Sequence, residues 1–172
     1  MYRLLPVLAL GAALLTAGCG SETGAVPAVP APQAATAPVA FNFPDLEGTQ
    51  RHLHEWQGQV VLVNFWAPWC PPCRKEMPAL MELQEKYASR GLTVVGVTID
   101  TRENAQNFAD SLGINFPILI GEDGGLELAQ TLGNKVGALP YTVVLDRQGR
   151  AAYTHRSEIT LQQAEQAVLP LL

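Results

Sequence analysis

The chain has 172 residues, 48% of them hydrophobic, which suits one ordinary domain with a buried core. A formal net charge of −5 and a pI near 5.1 argue against a nucleic-acid binder, which needs a basic face. No lysine- or arginine-rich run is present, so electrostatic adhesion to a membrane surface is disfavoured too.

Residues 1–18 read as a targeting segment. Arg3 supplies the positive end, Leu4 to Leu15 a short apolar core, and Thr16-Ala17-Gly18 the small residues of a cleavage site. The apolar run is short for a membrane span, which favours cleavage over a retained signal anchor. Leu15-Thr16-Ala17-Gly18-Cys19 resembles a bacterial lipobox, which implies cleavage before Cys19 and lipid on its sulfur, although Thr16 stands where an aliphatic residue is usual. By the same resemblance, Gly20 rather than an aspartate favours sorting to the outer membrane. Residues 19–40 then form a lipidated cysteine and a linker: Gly20 to Ala40 holds seven alanines, four prolines, one acid (Glu22) and no basic residue. Such a segment buries too little apolar surface to order itself, and its prolines keep it extended. The domain is expected over residues 41–172.

Residues 41–59 read as an N-terminal β-hairpin: Phe41 to Pro44, a turn at Glu47-Gly48, then alternation from Gln50 to Leu53. His52 and His54 point away from Leu53, and an exposed strand edge is favoured over metal binding. Val60 to Trp66 is an apolar, β-branched run with the composition of a strand buried on both faces. After a turn at Ala67-Pro68-Trp69 come Cys70 and Cys73, separated by Pro71-Pro72. A helix is expected over Arg74 to Arg90, with Met77, Leu80, Met81 and Gln84 on its apolar face and a kink at Pro78.

Two cysteines thus sit where a buried strand hands the chain to a helix. The first turn of a helix has unpaired N–H groups and partial positive charge, which favours the thiolate, the reactive form. Pro71 and Pro72 lack N–H groups and hold φ near −65°, as a first helical turn requires. Cys70 is expected to be the exposed nucleophile, and Cys73, on the same helical face, the thiol that resolves its mixed disulfide. A structural disulfide gains little from so short a loop. A zinc site lacks a second ligand pair, since His52, His54 and His155 are not beside the cysteines. Inert core cysteines fit poorly with a polar turn.

Beyond this stretch, Thr93 to Ile99 reads as a second buried strand, and Asp100 with Glu103 starts a helix ended by Gly113. Phe116 to Ile120 is a short extended piece, and Leu126 to Leu132 a helix closed by Gly133. Tyr141 to Leu145 and Arg150 to Thr154 form a hairpin around Asp146-Arg147-Gln148-Gly149. Thr160 with Gln163 is a capping box for a last helix to about Leu169. The alternation implies an α/β fold, a mixed sheet with helices on both faces.

Phe65-Trp66-Ala67-Pro68-Trp69-Cys70-Pro71-Pro72-Cys73-Arg74-Lys75-Glu76-Met77-Pro78 resembles the active-site signature of the thioredoxin superfamily, and more narrowly the membrane-anchored thiol-disulfide reductases of the TlpA/ResA type. The resemblance covers residues 41–172 and implies a thioredoxin-like mixed sheet. It places a cis-proline at Pro140, whose preceding backbone can pair with a substrate strand; Trp69, Pro71, Pro72, Leu139 and Pro140 are the expected substrate contacts. An ordinary trans Pro140 is the alternative, since most X-Pro bonds are trans. Thioredoxins proper have a buried aspartate where this chain has Asn64, and an amide cannot accept a proton. Glu76, three residues after Cys73, lies on the helical face near the dithiol and matches the acid of the pattern Cys-x-x-Cys-x-x-Glu. It is expected to carry the proton of Cys73, with a solvated helix carboxylate as the alternative.

If Cys19 carries lipid, only Cys70 and Cys73 remain of the three cysteines, which avoids an odd thiol in an exported protein. The compartment outside the cytoplasm is oxidising, so this CxxC faces disulfide substrates. The direction of exchange is set by reduction potential. Pro71-Pro72 offers no cationic donor to stabilise the thiolate strongly, which favours a reductase over a disulfide-introducing oxidase. The expected partners are an exported disulfide protein such as apocytochrome c, a membrane thiol transporter as electron donor, and the membrane through a lipid anchor on the periplasmic side of the cell envelope. The chain is expected to be a monomer with no cofactor beyond the redox-active Cys70–Cys73 disulfide, and no metal. A copper chaperone would want Cys-x-x-x-Cys and a nearby histidine, although Met77 is a soft ligand type. A thiol peroxidase would want threonine at Ala67.

Overall fold

The strand β3 (Val60–Trp66) is buried along its whole length, as its β-branched and aromatic composition predicts. The computed structural model describes residues 37–172. The targeting segment, Cys19 and most of the Ala/Pro-rich linker lie outside the described residues.

Around β3 is a five-stranded sheet of order β5-β4-β3-β6-β7, with β4 (Leu92–Thr98), β5 (Ile118–Ile120), β6 (Tyr141–Leu145) and β7 (Ala151–Arg156). β3, β4 and β5 are parallel; β6 and β7 run antiparallel. Parallel neighbours need crossover connections, and α1 (Pro71–Tyr87) and α2 (Arg102–Leu112) supply them. α3 (Gly125–Thr131) leads to β6, and α4 (Leu161–Val168) follows β7. β1 (Asn42–Pro44) and β2 (Gln50–His52) make the N-terminal antiparallel hairpin, joined to β5 by a bridge from Asp45 to Leu119. This is the thioredoxin-like α/β architecture that the sequence predicts.

Alternation along β3 divides the core in two. Val60, Leu62 and Trp66 pack with Cys73, Met77, Leu80 and Leu83 of α1, and with residues of α2 and α4. Val61, Val63 and Phe65 face the other way, toward Leu53, Trp56 and Ala129. Gly96 pairs with Asn64 across β3 and β4, and a Cβ there would come within 3.0 Å of Trp66 Nε1, so the glycine makes room for the indole.

Several boundaries differ from the sequence expectations. β2 stops at His52, and Leu53 to Trp56 form a 3-10 turn. A three-residue repeat buries both Leu53 and Trp56, which strand alternation cannot do. α1 starts at Pro71, not Arg74, because the two prolines occupy its first turn, and it runs through Pro78 as a single helix. Its inner stripe is Cys73, Glu76, Met77, Leu80 and Leu83; Met81 and Gln84 are only half-buried. Gln84 Oε1 instead accepts Val94 N–H at 2.7 Å, holding α1 to β4. The second helix is capped by Thr101, which accepts Asn104 N–H, rather than by Asp100.

Candidate active site

Ala67-Pro68-Trp69 turns the chain out of β3 and places Cys70 at the N-cap of α1. Pro71 and Pro72 remove two of the N–H groups that a helix start leaves unpaired. The first N–H that remains, Cys73 N, donates to Cys70 Sγ at 3.3 Å, and Arg74 N donates to Cys70 O at 3.1 Å. The positive end of α1 is therefore aimed at the Cys70 sulfur, the arrangement that stabilises a thiolate.

Cys70 and Cys73 are joined, with sulfurs 2.11 Å and Cα atoms 5.3 Å apart. Cys70 departs from the exposed position expected of the nucleophile. Cys70 is only 3% exposed and Cys73 fully buried, so the first cysteine is not the surface group of this site. In the disulfide, Cys70 Sγ turns inward to Cys73 and joins the core. Trp69, 64% exposed, and Pro71 present the site's surface, with Pro72 half-buried behind them.

The Leu139–Pro140 peptide is cis. Pro140 is buried and Leu139 half-buried, directly before β6, where Tyr141 pairs with Phe65 near the end of β3. The register thus brings the proline loop and the cysteine turn to the same end of the sheet. Pro140 O accepts Ser157 N–H at 3.2 Å, which ties this loop to the segment after β7.

Beneath them lies a polar cluster in an apolar setting. Glu76 is 1% exposed, one helical turn past Cys73, so it is not a solvated helix residue. Its Oε1 accepts Asn64 Nδ2 at 2.7 Å and its Oε2 accepts Ile159 N–H at 2.8 Å. Asn64 Nδ2 also donates to Thr142 Oγ1 at 3.1 Å, its neighbour in register on β6. Burial raises the Glu76 carboxyl to about 7; the hydrogen bonds from Ile159 and Asn64 oppose that rise, and the Glu158 charge adds to it. Glu158 in turn pairs with Lys75 at 3.0 Å. A buried carboxyl poised near neutrality beside a thiol can exchange protons with it.

Sequence reasoning did not find Thr142, Glu158 or the Ile159 amide. Thr142 had a signal, as the one polar side chain with an apolar residue or tyrosine on either side in β6; a backbone N–H leaves none. The His52 and His54 rings, stacked at 5.1 Å, stand apart from all this. They line a cavity of about 430 Å³ with Phe41, Trp56 and Val61 at the opposite end of β3 from the cysteines.

A dithiol at the head of a helix, with a cis-proline at the same end of the sheet, defines a redox-active protein of the thioredoxin-like class. The chain belongs to the Redoxin family, which matches residues 31–168. It is 36% identical over 126 residues to the thiol-disulfide oxidoreductase ResA of Bacillus anthracis, covering 73% of this chain and 70% of that one. It is 37% identical over 130 residues to the thioredoxin-like protein YneN of Bacillus subtilis, covering 73% of each. A secreted thiol-disulfide isomerase from Corynebacterium glutamicum superposes with a TM-score of 0.71 at 33% identity, over 77% of this chain and 83% of that structure.

Proposed function

We propose that this protein is an exported thiol-disulfide oxidoreductase that reduces protein disulfides through Cys70 and Cys73. The observation that carries the reading is the Cys70–Cys73 pair at the positive end of α1, with a buried carboxyl of raised pKa one turn away. Kinship with thiol-disulfide oxidoreductases supports the activity, and with it a disulfide-containing protein substrate and an exported location.

In the reduced enzyme, the Cys70 thiolate attacks a substrate disulfide. A Cys70–substrate disulfide forms, the substrate S–S bond breaks, and one substrate sulfur leaves as a thiolate. Cys73 then gives its proton to the Glu76 carboxylate and attacks the Cys70 sulfur. The Cys70–Cys73 bond forms, and the second substrate sulfur leaves. Two electrons have passed to the substrate, and the proton on Glu76 is returned to a departing thiolate or to water. Trp69, Pro71, Pro72, Leu139 and Pro140 form the contact surface for the substrate strand.

The same reading places lipid on Cys19 after removal of residues 1–18, and has the linker hold a monomeric domain off the membrane, on the periplasmic side. A membrane thiol transporter recharges the dithiol, the disulfide itself is the only redox group, and apocytochrome c or another exported disulfide protein is the substrate. Equilibration of Cys70–Cys73 in thiol buffers of known poise tests the direction. A potential at or below about −220 mV supports a reductase, and one near about −120 mV makes the protein an oxidase and removes the donor and the cytochrome with it.

A further inference from the structure

Glu76 is held by two donors and no acceptor. Its Oε1 faces Asn64 Nδ2 and its Oε2 faces Ile159 N–H, which is the setting of a carboxylate anion. A proton placed on either contact needs the opposing group to become an acceptor. Ile159 N–H is a backbone donor and cannot reverse. Asn64 can, because an amide carries a donor and an acceptor on one planar group, interchanged by half a turn about its last side-chain bond. Its acceptor is also unused: Asn64 is fully buried and Oδ1 has no hydrogen-bond partner, a costly state for a carbonyl away from water.

We propose that Asn64 is a positioning residue for the Cys73 proton exchange, one whose amide turns over as Glu76 gains and loses its proton. With Glu76 ionised, Nδ2 donates to Oε1 and to Thr142 Oγ1. With Glu76 protonated, the amide is reversed, and Oδ1 accepts the carboxylic O–H and the Thr142 hydroxyl. No covalent bond changes; the proton stays on Glu76 until it returns to sulfur or water. The amide can thus donate to the carboxylate and accept the O–H of the acid, and a fixed donor can do only the first.

The groups around Glu76 fit such a role. Cys73 lies one turn back on α1, and Glu158, paired with Lys75, lies on the segment after β7. His155 Nε2, near the end of β7, contacts Glu158 O at 3.2 Å. From β3 and β6 come only Asn64 and Thr142, neither of which ionises near neutrality. Asn64 is therefore the one side chain from the sheet that meets the carboxyl as a hydrogen-bond donor.

This inference rests on Glu76 being the proton carrier, and the test separates the two. The Glu76 side-chain carboxyl is titrated by carbon NMR in the oxidised full chain, independently of turnover. Asn64→Ala removes a charge-assisted donor to the anion and a weaker acceptor for the acid, so it should raise the Glu76 midpoint by less than about one pH unit. Thr142→Val keeps the volume and removes a hydroxyl that pairs with the amide in both orientations, so it should move the midpoint less than Asn64→Ala does; a larger move would assign the effect to Thr142 rather than to the amide. Should Asn64→Ala fail to fold, Asn64→Asp keeps the shape, and the two carboxyls should share a proton, with the higher midpoint above that of the parent. A parent-like midpoint in the folded Asn64 variant would overturn the role of Asn64. Glu76→Gln with undiminished turnover would instead overturn the proton carrier, and leave the NMR shifts to stand or fall alone.

Discussion

The two faces of β3 share one backbone and one degree of burial, yet they do different work. Val61, Val63 and Phe65 meet apolar neighbours, and on that side the Tyr141 hydroxyl donates to Leu132 O at 2.7 Å. Leu62, Asn64 and Trp66 face α1, where the core takes in a disulfide, a carboxyl and an amide with an unpaired oxygen. The first face contributes stability by removing apolar surface from water. The second gives up some of that stability to hold ionisable chemistry in a place water does not reach. A strand covered on both faces allows this division, because one side can secure the fold while the other carries the strain of function.

The largest break of the comparison comes from the dithiol. Cys73→Ser should abolish turnover and trap a Cys70–substrate mixed disulfide, seen as a mass adduct on incubation of reduced protein with a disulfide substrate. Sustained turnover would remove the resolving role. On the other face, Phe65→Ala should cost about 3–5 kcal/mol in urea unfolding of the oxidised protein. Its reduction potential should stay near that of the parent; a large change would mean that the two faces are not separable.

Glu76 sharpens the contrast through pH. Its folded value of about 7 lies above the ordinary 4.5, so the folded chain holds the proton more tightly than the unfolded one. Its contribution to stability is complete below about pH 4.5, is lost as pH rises to about 7, and is constant above that, a total of about 3 kcal/mol. Urea unfolding of parent and Glu76→Gln across this window should show the slope in the parent alone; a slope kept in the variant would assign it to another group. The smallest effect belongs to the surface. Lys75→Ala removes an exposed ion pair with Glu158 and should change stability by less than about 1 kcal/mol, in the same measurement.

Much of this was legible in advance. The composition of Val60 to Trp66 announces a strand covered on both faces, and Cys70 with the following prolines announces a helix start that favours a thiolate. Local chemistry suffices there, because strand burial and helix capping are set by residues a few positions apart. The 3-10 turn at Leu53 to Trp56 was misread as strand because four residues with two polar members satisfy several periods. Leu83 was missed on the α1 stripe because α4 packs against that end of the helix, a long-range contact. Cys70 was expected at the surface because the chemistry of an attacking thiol describes the reduced state, whereas the closed disulfide turns its sulfur inward.

The sequence by itself determined a thioredoxin-like fold and a dithiol at a strand–helix junction. It also marked Asn64 as a departure from the buried acid of thioredoxins and Glu76 as a substitute. Only the tertiary structure decided that Glu76 is buried, and that its two oxygens are held by Asn64 and by the amide of Ile159, 12 and 83 residues away. The reason is physical: periodicity reports which side chains face inward, but the state of a buried charge depends on which donors the fold brings to it. Those donors come from β3 and from the approach to α4, elements that meet only once the sheet has formed.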